Sequence, residues 1–374
     1  METCTHAGGC GPKQMLRDSK VWDLVVHKRR LVEVPHVASL AETMNTLVAN
    51  CVLAVPVSAP PGHFIGAGGS MIMESDERTG AARKQYIGIV TMLDILAHIG
   101  GGGGVYEDVD DEKDLHRKMA APVTAVIGHC IEGLSLWTLS PNTSVLESME
   151  LLSKGIHRVL VPLDCNGHDA QQIHGAEVEE SSHLYRLLTQ TDVVKFLEQH
   201  SLEMGSVTAR SVRDLRAVNR QVFAITDKTK LVDAIRCMRA GLINAVPIVA
   251  SEEHETDHSL LIEGRGRKIL GTFSATDLRG CHLSTLKTWL PISALDFTEK
   301  ISKSPLYPPS GEGPRPREPV TCTDESSLAE VMERAMAKHV HRVWVVEDDD
   351  QGLLDGVVSL TDMIRVVRVA VLSA

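Results

Sequence analysis

The chain has 374 residues, 43% of them hydrophobic, and carries 38 Lys and Arg against 49 Asp and Glu, a formal net charge of −11. At about 150 residues per domain this is material for two or three domains, each large enough to bury a core. The acidic balance and the 3% aromatic content exclude a global positive field for nucleic acid or anionic lipid and the stacking platforms that grip single strands.

The opening Met1-Glu2-Thr3-Cys4 has neither the basic region nor the apolar stretch of a signal peptide. No apolar run approaches the ~18 residues of a membrane span. A soluble protein of the cytoplasm or nucleus is expected, with no nucleic-acid or membrane partner. Eight cysteines lie far apart, never as Cys-x-x-Cys, and read as reduced thiols. Cys4, His6 and Cys10 make three soft ligands where a structural zinc site uses four, so no metal is expected.

Residues 1–29 read as a helical lead-in, and from there one unit recurs four times, over 30–99, 136–198, 222–284 and 319–374. Each unit opens with an extended lead-in: Leu31–Val34, Leu136–Leu139, Val222–Ile225 and Val320–Cys322. An amphipathic helix follows, with apolar or small residues at i, i+3, i+4 and i+7: Leu40, Thr43, Met44 and Leu47 in the first copy, and Leu328, Val331, Met332 and Ala335 in the last. Ser39 with Glu42, Ser144 with Glu147, and Ser327 with Glu330 are capping boxes. Lys230 and Asp233 hold those places in the third copy, so its cap must be built differently. An apolar strand comes next (Val52–Val57, Ile156–Val161, Ile243–Val249, Val340–Val346), then a variable loop and a second strand.

The second strand closes on Ser or Thr with Asp three residues later: Thr91 and Asp94, Thr189 and Asp192, Ser274 and Asp277, Ser359 and Asp362. The hydroxyl residues are spaced 98, 85 and 85 apart. On physical grounds the motif is first a helix start, since an Asp in the first turn stabilises the N-terminus by about 0.3–1 kcal/mol with no ligand needed. Capping and ligand binding are compatible, so the motif alone leaves both open.

Between units, 100–135 is a Gly-rich and acidic linker, with Glu107–Asp114 as a flexible spacer; 199–221 is a second linker and 285–318 a proline-rich third. The Ser58–Gln85 insert exceeds what a hairpin needs. Its Gly66–Gly69 stretch and the Gly100–Gly104 run lack the Gly-Lys-Ser/Thr ending of a phosphate loop. Asp348–Asp350 reads as a solvated turn. No Gly-x-Ser-x-Gly, His-Glu-x-x-His or kinase signature is present, so no catalytic residue is expected.

A strand–helix unit ending Gly-h-h-Ser/Thr-x-x-Asp resembles the cystathionine-β-synthase (CBS) domain, and four in tandem resemble the gamma subunit of AMP-activated protein kinase. Ser19-Lys-Val-Trp-Asp-Leu24 and Ser153-Lys-Gly-Ile-His-Arg158 resemble its plant branch, gamma-like proteins of the sucrose-nonfermenting-related kinases. The resemblance implies an α/β fold with mixed sheets, in which repeats one and two, and three and four, pair as two Bateman modules of a disc. It also implies adenine nucleotides (AMP, ADP or ATP) between repeats as regulatory ligands. The carboxylates of Asp94, Asp192, Asp277 and Asp362 would take the ribose, beside Thr91, Thr189, Ser274 and Ser359. Basic pairs on the first core strands would hold the phosphates, and only His157-Arg158 and His341-Arg342 supply them. Leu53-Ala54 and Asn244-Ala245 stand there in repeats one and three, and Arg186 replaces the glycine expected in repeat two. Fewer than four occupied sites are therefore expected. The implied partners are a kinase catalytic subunit and a beta-type subunit, with a second copy of the chain also compatible. The competing reading is a scaffold whose repeats bind no ligand.

Overall fold

The computed structural model describes residues 11–60, 86–100, 112–129, 136–163, 185–303, 318–347 and 351–373. Cys4, His6 and Cys10, most of the Ser58–Gln85 insert, the glycine run past Gly100, the proline-rich stretch to residue 317 and Asp348–Asp350 lie outside the described residues.

Four copies of the expected unit are present. The amphipathic helices run Leu40–Ala49, Val145–Leu152, Leu231–Ala240 and Leu328–Ala337, and the three capping boxes form as read from the sequence. The third helix has no side-chain cap. Its first two N–H groups are both taken by backbone carbonyls, Leu231 donating to Ile292 O at 2.8 Å and Val232 to Leu290 O at 3.2 Å.

Each first strand starts two residues later than the hydropathy pattern indicates, at Ala54, Arg158, Ala245 and Arg342. The chain must reverse direction after the helix, and it does so through one residue at positive φ. That residue is Gly155 in repeat two but Cys51, Leu242 and His339 elsewhere. The two residues after it only lead into the sheet. The second strand pairs antiparallel in a register that sets Ala54 opposite Thr91, Arg158 opposite Thr189, Ala245 opposite Ser274 and Arg342 opposite Ser359. Antiparallel pairing therefore brings the Ser/Thr of every motif beside the second residue of the basic pair or its neutral replacement.

The repeats close a ring. Tyr86, Leu160 and Tyr185 join repeat one to repeat two, the tyrosine rings meeting edge to face at 5.6 Å. Val222, Ala224, Val249, Trp344 and Leu354 join repeat three to repeat four. These are the two expected modules. The larger cores run across the modules: one is shared by repeats one and three, the other by two and four. In the first, helix Met92–Gly100 packs on helix Leu231–Ala240.

The segments between units are structural members. Ser39 bridges Pro122, Ser144 bridges Lys20, Lys230 bridges Ser293 and Ser327 bridges Ser211. In each case the first helical N–H is accepted by a carbonyl of the passing segment: Ala121, Ser19, Ile292 or Arg210, at 2.8–2.9 Å. The signal for this element is in the sequence as Lys20-Val-Trp-Asp-Leu24, Ser211-Val-Arg-Asp-Leu215 and Ser293-Ala-Leu-Asp-Phe297, an additional repeat hidden in stretches read as lead-in and linker. The flexible-spacer reading of Glu107–Asp114 is corrected at its C-terminal end. Glu112–Met119 is a helix because Leu115 and Met119, one turn apart, bury in the shared core of repeats one and three. At Gly356 the crossing is tight: a Cβ would stand 2.5 Å from Val218 Cγ1 and 2.9 Å from Asn219 O. Glycine is required there because the segment after repeat two runs over that strand, Asn219 pairing with Val357; Arg186 stands at the matching place in repeat two.

Candidate functional site

At the meeting point of the four repeats lies a cavity of about 340 Å³, within the range of a small-molecule site. Seven of the twelve sequence-derived residues line it: Thr91, His157, Arg158, Thr189, His341, Arg342 and Ser359. The register just described puts them there. The wall also holds Lys28, Arg29, Arg30 and Arg279, and among the described residues it includes no acidic one. Sequence reasoning missed these four cations. Lys28-Arg29-Arg30 had a signal as a basic triplet just before the first lead-in strand; Arg279, two residues past Asp277, had none in a one-repeat comparison.

The four aspartates, together with Ser274, are not part of the wall. Each aspartate caps its own turn. Asp94 accepts from Thr91 N and Oγ1 at 2.8 and 2.6 Å, Asp192 from Thr189 N and Oγ1 at 2.7 Å each, and Asp362 from Ser359 N and Oγ at 3.0 and 2.5 Å. Asp277 accepts from Ser274 N at 2.8 Å, while Ser274 Oγ turns to accept from Thr276 N. That diversion accompanies a short 3-10 turn, Asp277–Gly280, where the other repeats have an α-helix. The capping reading of the motif thus holds in all four copies. Asp94 and Asp277 are 0% exposed. Asp192 is paired with Lys28 Nζ at 2.5 Å, and Asp362 with Arg365 Nη2 at 2.9 Å.

The basic pairs of repeats two and four interact across the cavity. The Arg342 guanidinium donates to Ala245 O at 3.1 Å, and Asn244 Nδ2 lies 3.3 Å from His157 Nδ1, so repeat three supplies polar supports where it lacks cations. Gln190, beside Thr189, donates to Leu152 O at 2.9 Å and to Thr361 Oγ1 at 2.8 Å, linking the motifs of repeats two and four. Burial, then the Arg342 charge, pushes His157 down to about 4. Burial, then Arg158, Arg342, His157 and Arg279, push His341 down to about 3. Arg158 and Arg342 are each lowered to about 10, chiefly by burial, against the opposing pull of Asp94 on the first and Asp362 on the second. Both histidines are therefore neutral in the folded chain at pH 7.

Between the ordinary histidine value near 6.5 and about 4, the unfolded chain binds protons that the fold refuses, so stability falls as pH falls through that window, by a few kcal/mol in order of magnitude. We expect the urea midpoint to drop from pH 7 to pH 5, and to drop less in a His157→Gln, His341→Gln double variant. Equal slopes in the two proteins would show that these imidazoles do not drive it. An anion in the cavity favours the imidazolium, so saturating ligand should flatten the slope.

A family model, the CBS domain, matches residues 316–369. The chain is 55% identical over 348 residues to the SNF1-related protein kinase regulatory subunit gamma-like PV42a of Arabidopsis thaliana, covering 92% of this chain and 94% of that protein. It is 52% identical over 358 residues to PV42b of the same plant, covering 96% and 97%. In fold it is similar to protein MJ1225 of Methanocaldococcus jannaschii, with a TM-score of 0.54 at 17% identity over 92% of this chain and 99% of the other. Four copies of one unit, closed in a ring around a cationic cavity and matched along nearly the whole length by PV42a and PV42b, place this chain in the family of gamma-like regulatory subunits of SNF1-related protein kinases.

Proposed function

We propose that the protein is a non-catalytic regulatory subunit that associates with the catalytic and beta-type subunits of a SNF1-related kinase and binds an adenine nucleotide (AMP, ADP or ATP) at its centre. The observation that carries this is the wall of the cavity: among the described residues it has six Lys and Arg and two His and no acid, in a protein of net charge −11. Guanidinium groups offer planar donor pairs to phosphate oxygens, and neutral imidazoles next to them can gain a proton as an anion arrives. Because all four repeats contribute to that wall, a ligand in it has different contacts whenever the repeats shift. It can then favour one arrangement over another by its difference in affinity, and by that much bias the kinase.

The test is calorimetric titration of AMP, ADP and ATP into the full chain and into Arg342→Gln. Saturable heat that the substitution abolishes is expected. No heat and no thermal shift with any of the three would remove the nucleotide reading. Two observations favour the ligand-free scaffold instead: Lys28 already pairs with Asp192, and Ala54 and Ala245 leave two repeats without a basic residue at that strand position. Capture of the kinase catalytic subunit, unchanged by nucleotide, would select it.

A further inference from the structure

The segments that enter repeats one and three occupy equivalent places: Lys28 stands eight residues past Lys20 and three before Leu31, as Asn219 stands eight past Ser211 and three before Val222. They are held in different ways. Asn219 joins the edge of repeat four, its N–H and C=O both bonded to Val357 at 2.9 Å. The matching partner of Lys28 is Leu187, two residues before Thr189 as Val357 is two before Ser359. Among the described residues no backbone hydrogen bond joins Lys28 to Leu187. Lys28 Nζ reaches Asp192 at 2.5 Å, and Arg29 Nη1 donates to Asn50 O at 2.8 Å, so side chains tie this segment across to its neighbours. Lys28, Arg29 and Arg30 line the cavity, whereas Asn219, Arg220 and Gln221 do not.

The difference traces to one residue. Asn219 can lie against Val357 because position 356 is glycine: a Cβ there would stand 2.5 Å from Val218 Cγ1 and 2.9 Å from Asn219 O, closer than real side chains come. Repeat two has Arg186 at that place, so the same approach would drive its Cβ into His27 and the Lys28 carbonyl. Charge adds to the steric bar: after burial, the Arg30 charge is what lowers Arg186, a sign that the two like charges are near. We propose that Arg186 is a positioning residue, a doorstop whose Cβ keeps segment 28–30 off strand Tyr185–Thr189 and so leaves Lys28, Arg29 and Arg30 on the cavity wall as a strap tethered by side chains. The other module shows the state that Arg186 prevents. With glycine, the same segment is stitched to the sheet by its backbone, and its Arg220 pairs with Asp324 and Asp355.

Hydrogen exchange in the full chain tests this with no ligand added, so the result is independent of nucleotide binding. In the parent, the Leu187 amide is expected to exchange at least about a hundredfold faster than the Val357 amide, whose acceptor is Asn219 O. Arg186→Gly should let the strap close: Leu187 exchange slows by about tenfold or more, and trypsin cuts more slowly after Lys28, Arg29 and Arg30. Arg186→Ala removes the charge but keeps Cβ, so Leu187 should stay fast and cleavage unchanged. Gly356→Ala is the converse and should speed exchange at Val357 and Asn219; if that variant does not fold, the two Arg186 variants decide. Leu187 as protected as Val357 in the parent, no change in Arg186→Gly, equal protection in Arg186→Ala and Arg186→Gly, or an undisturbed Val357 in folded Gly356→Ala would each overturn the doorstop.

Discussion

Asp94→Ala is expected to destabilise the protein by about 3–5 kcal/mol, read as a lower urea midpoint, whereas Asp192→Ala should cost no more than about 1 kcal/mol. Both carboxylates cap a helix and both attract a cation, so the capping contribution, about 1 kcal/mol or less, is common to the two. They differ in burial. Asp94 is 0% exposed and its charge supports the Arg158 guanidinium deep in the ring. Removing it leaves Arg158 in a low-dielectric place among Arg279 and His341 without that carboxylate. Asp192 and Lys28 sit half-buried, where solvent screens the pair. A second measurement separates charge from capping: Asp94→Asn, which keeps the shape and an acceptor oxygen for the cap, should lose most of the same stability because it leaves Arg158 without the negative charge. An Asp94→Asn cost near that of Asp192→Ala would mean that Asp94 acts only as a cap.

Phe297→Ala should cost a similar amount, about 3–5 kcal/mol, for a wholly apolar reason. Phe297 is fully buried and stands edge to face with Phe273 at 6.1 Å and with Trp289 at 5.5 Å. It comes from the passing segment after repeat three and fills the core that repeats one and three share. Phe223→Ala, at a position 55% exposed, should change stability by no more than about 0.5 kcal/mol. Because the Phe297 core crosses from one module to the other, the whole chain should still melt in one transition, displaced to lower temperature. A new early transition that leaves half the signal folded would contradict that coupling.

Much of this was legible in the residues. The helices were fixed by apolar spacing and by Ser–Glu pairs three apart, which act locally and need no partner. The basic pairs were legible because two copies of His-Arg occupy one offset, and sheet register then delivers them to a common place. What was not legible depends on contacts between distant parts of the chain. Arg279 reaches the cavity because its turn faces inward, and no neighbour in sequence signals this. The role of Ser19–Asp23, Arg210–Asp214 and Ile292–Asp296 as helix-closing segments was hidden because each pairs with a unit that is not always its neighbour in sequence. The aspartate motif was plain in the sequence, and the turns its carboxylates close are local, so its capping contacts were legible without a partner. The helix at Glu112–Met119 begins inside an acidic run, and only Leu115 and Met119 disclose its buried side.

The sharing of cores between non-adjacent repeats has a consequence for biosynthesis. Ile95 and Ile235 lie 140 positions apart, yet they belong to helices that cover one another. On a ribosome that adds about 5–20 residues per second, the first helix waits roughly 7–30 s with its oily side open to water before its cover has been made. Repeat two waits in the same way for repeat four. Nascent chains of this architecture are therefore natural clients of holding chaperones, and a codon change that slows translation between the second and third units would lengthen the interval in which they can stick to one another.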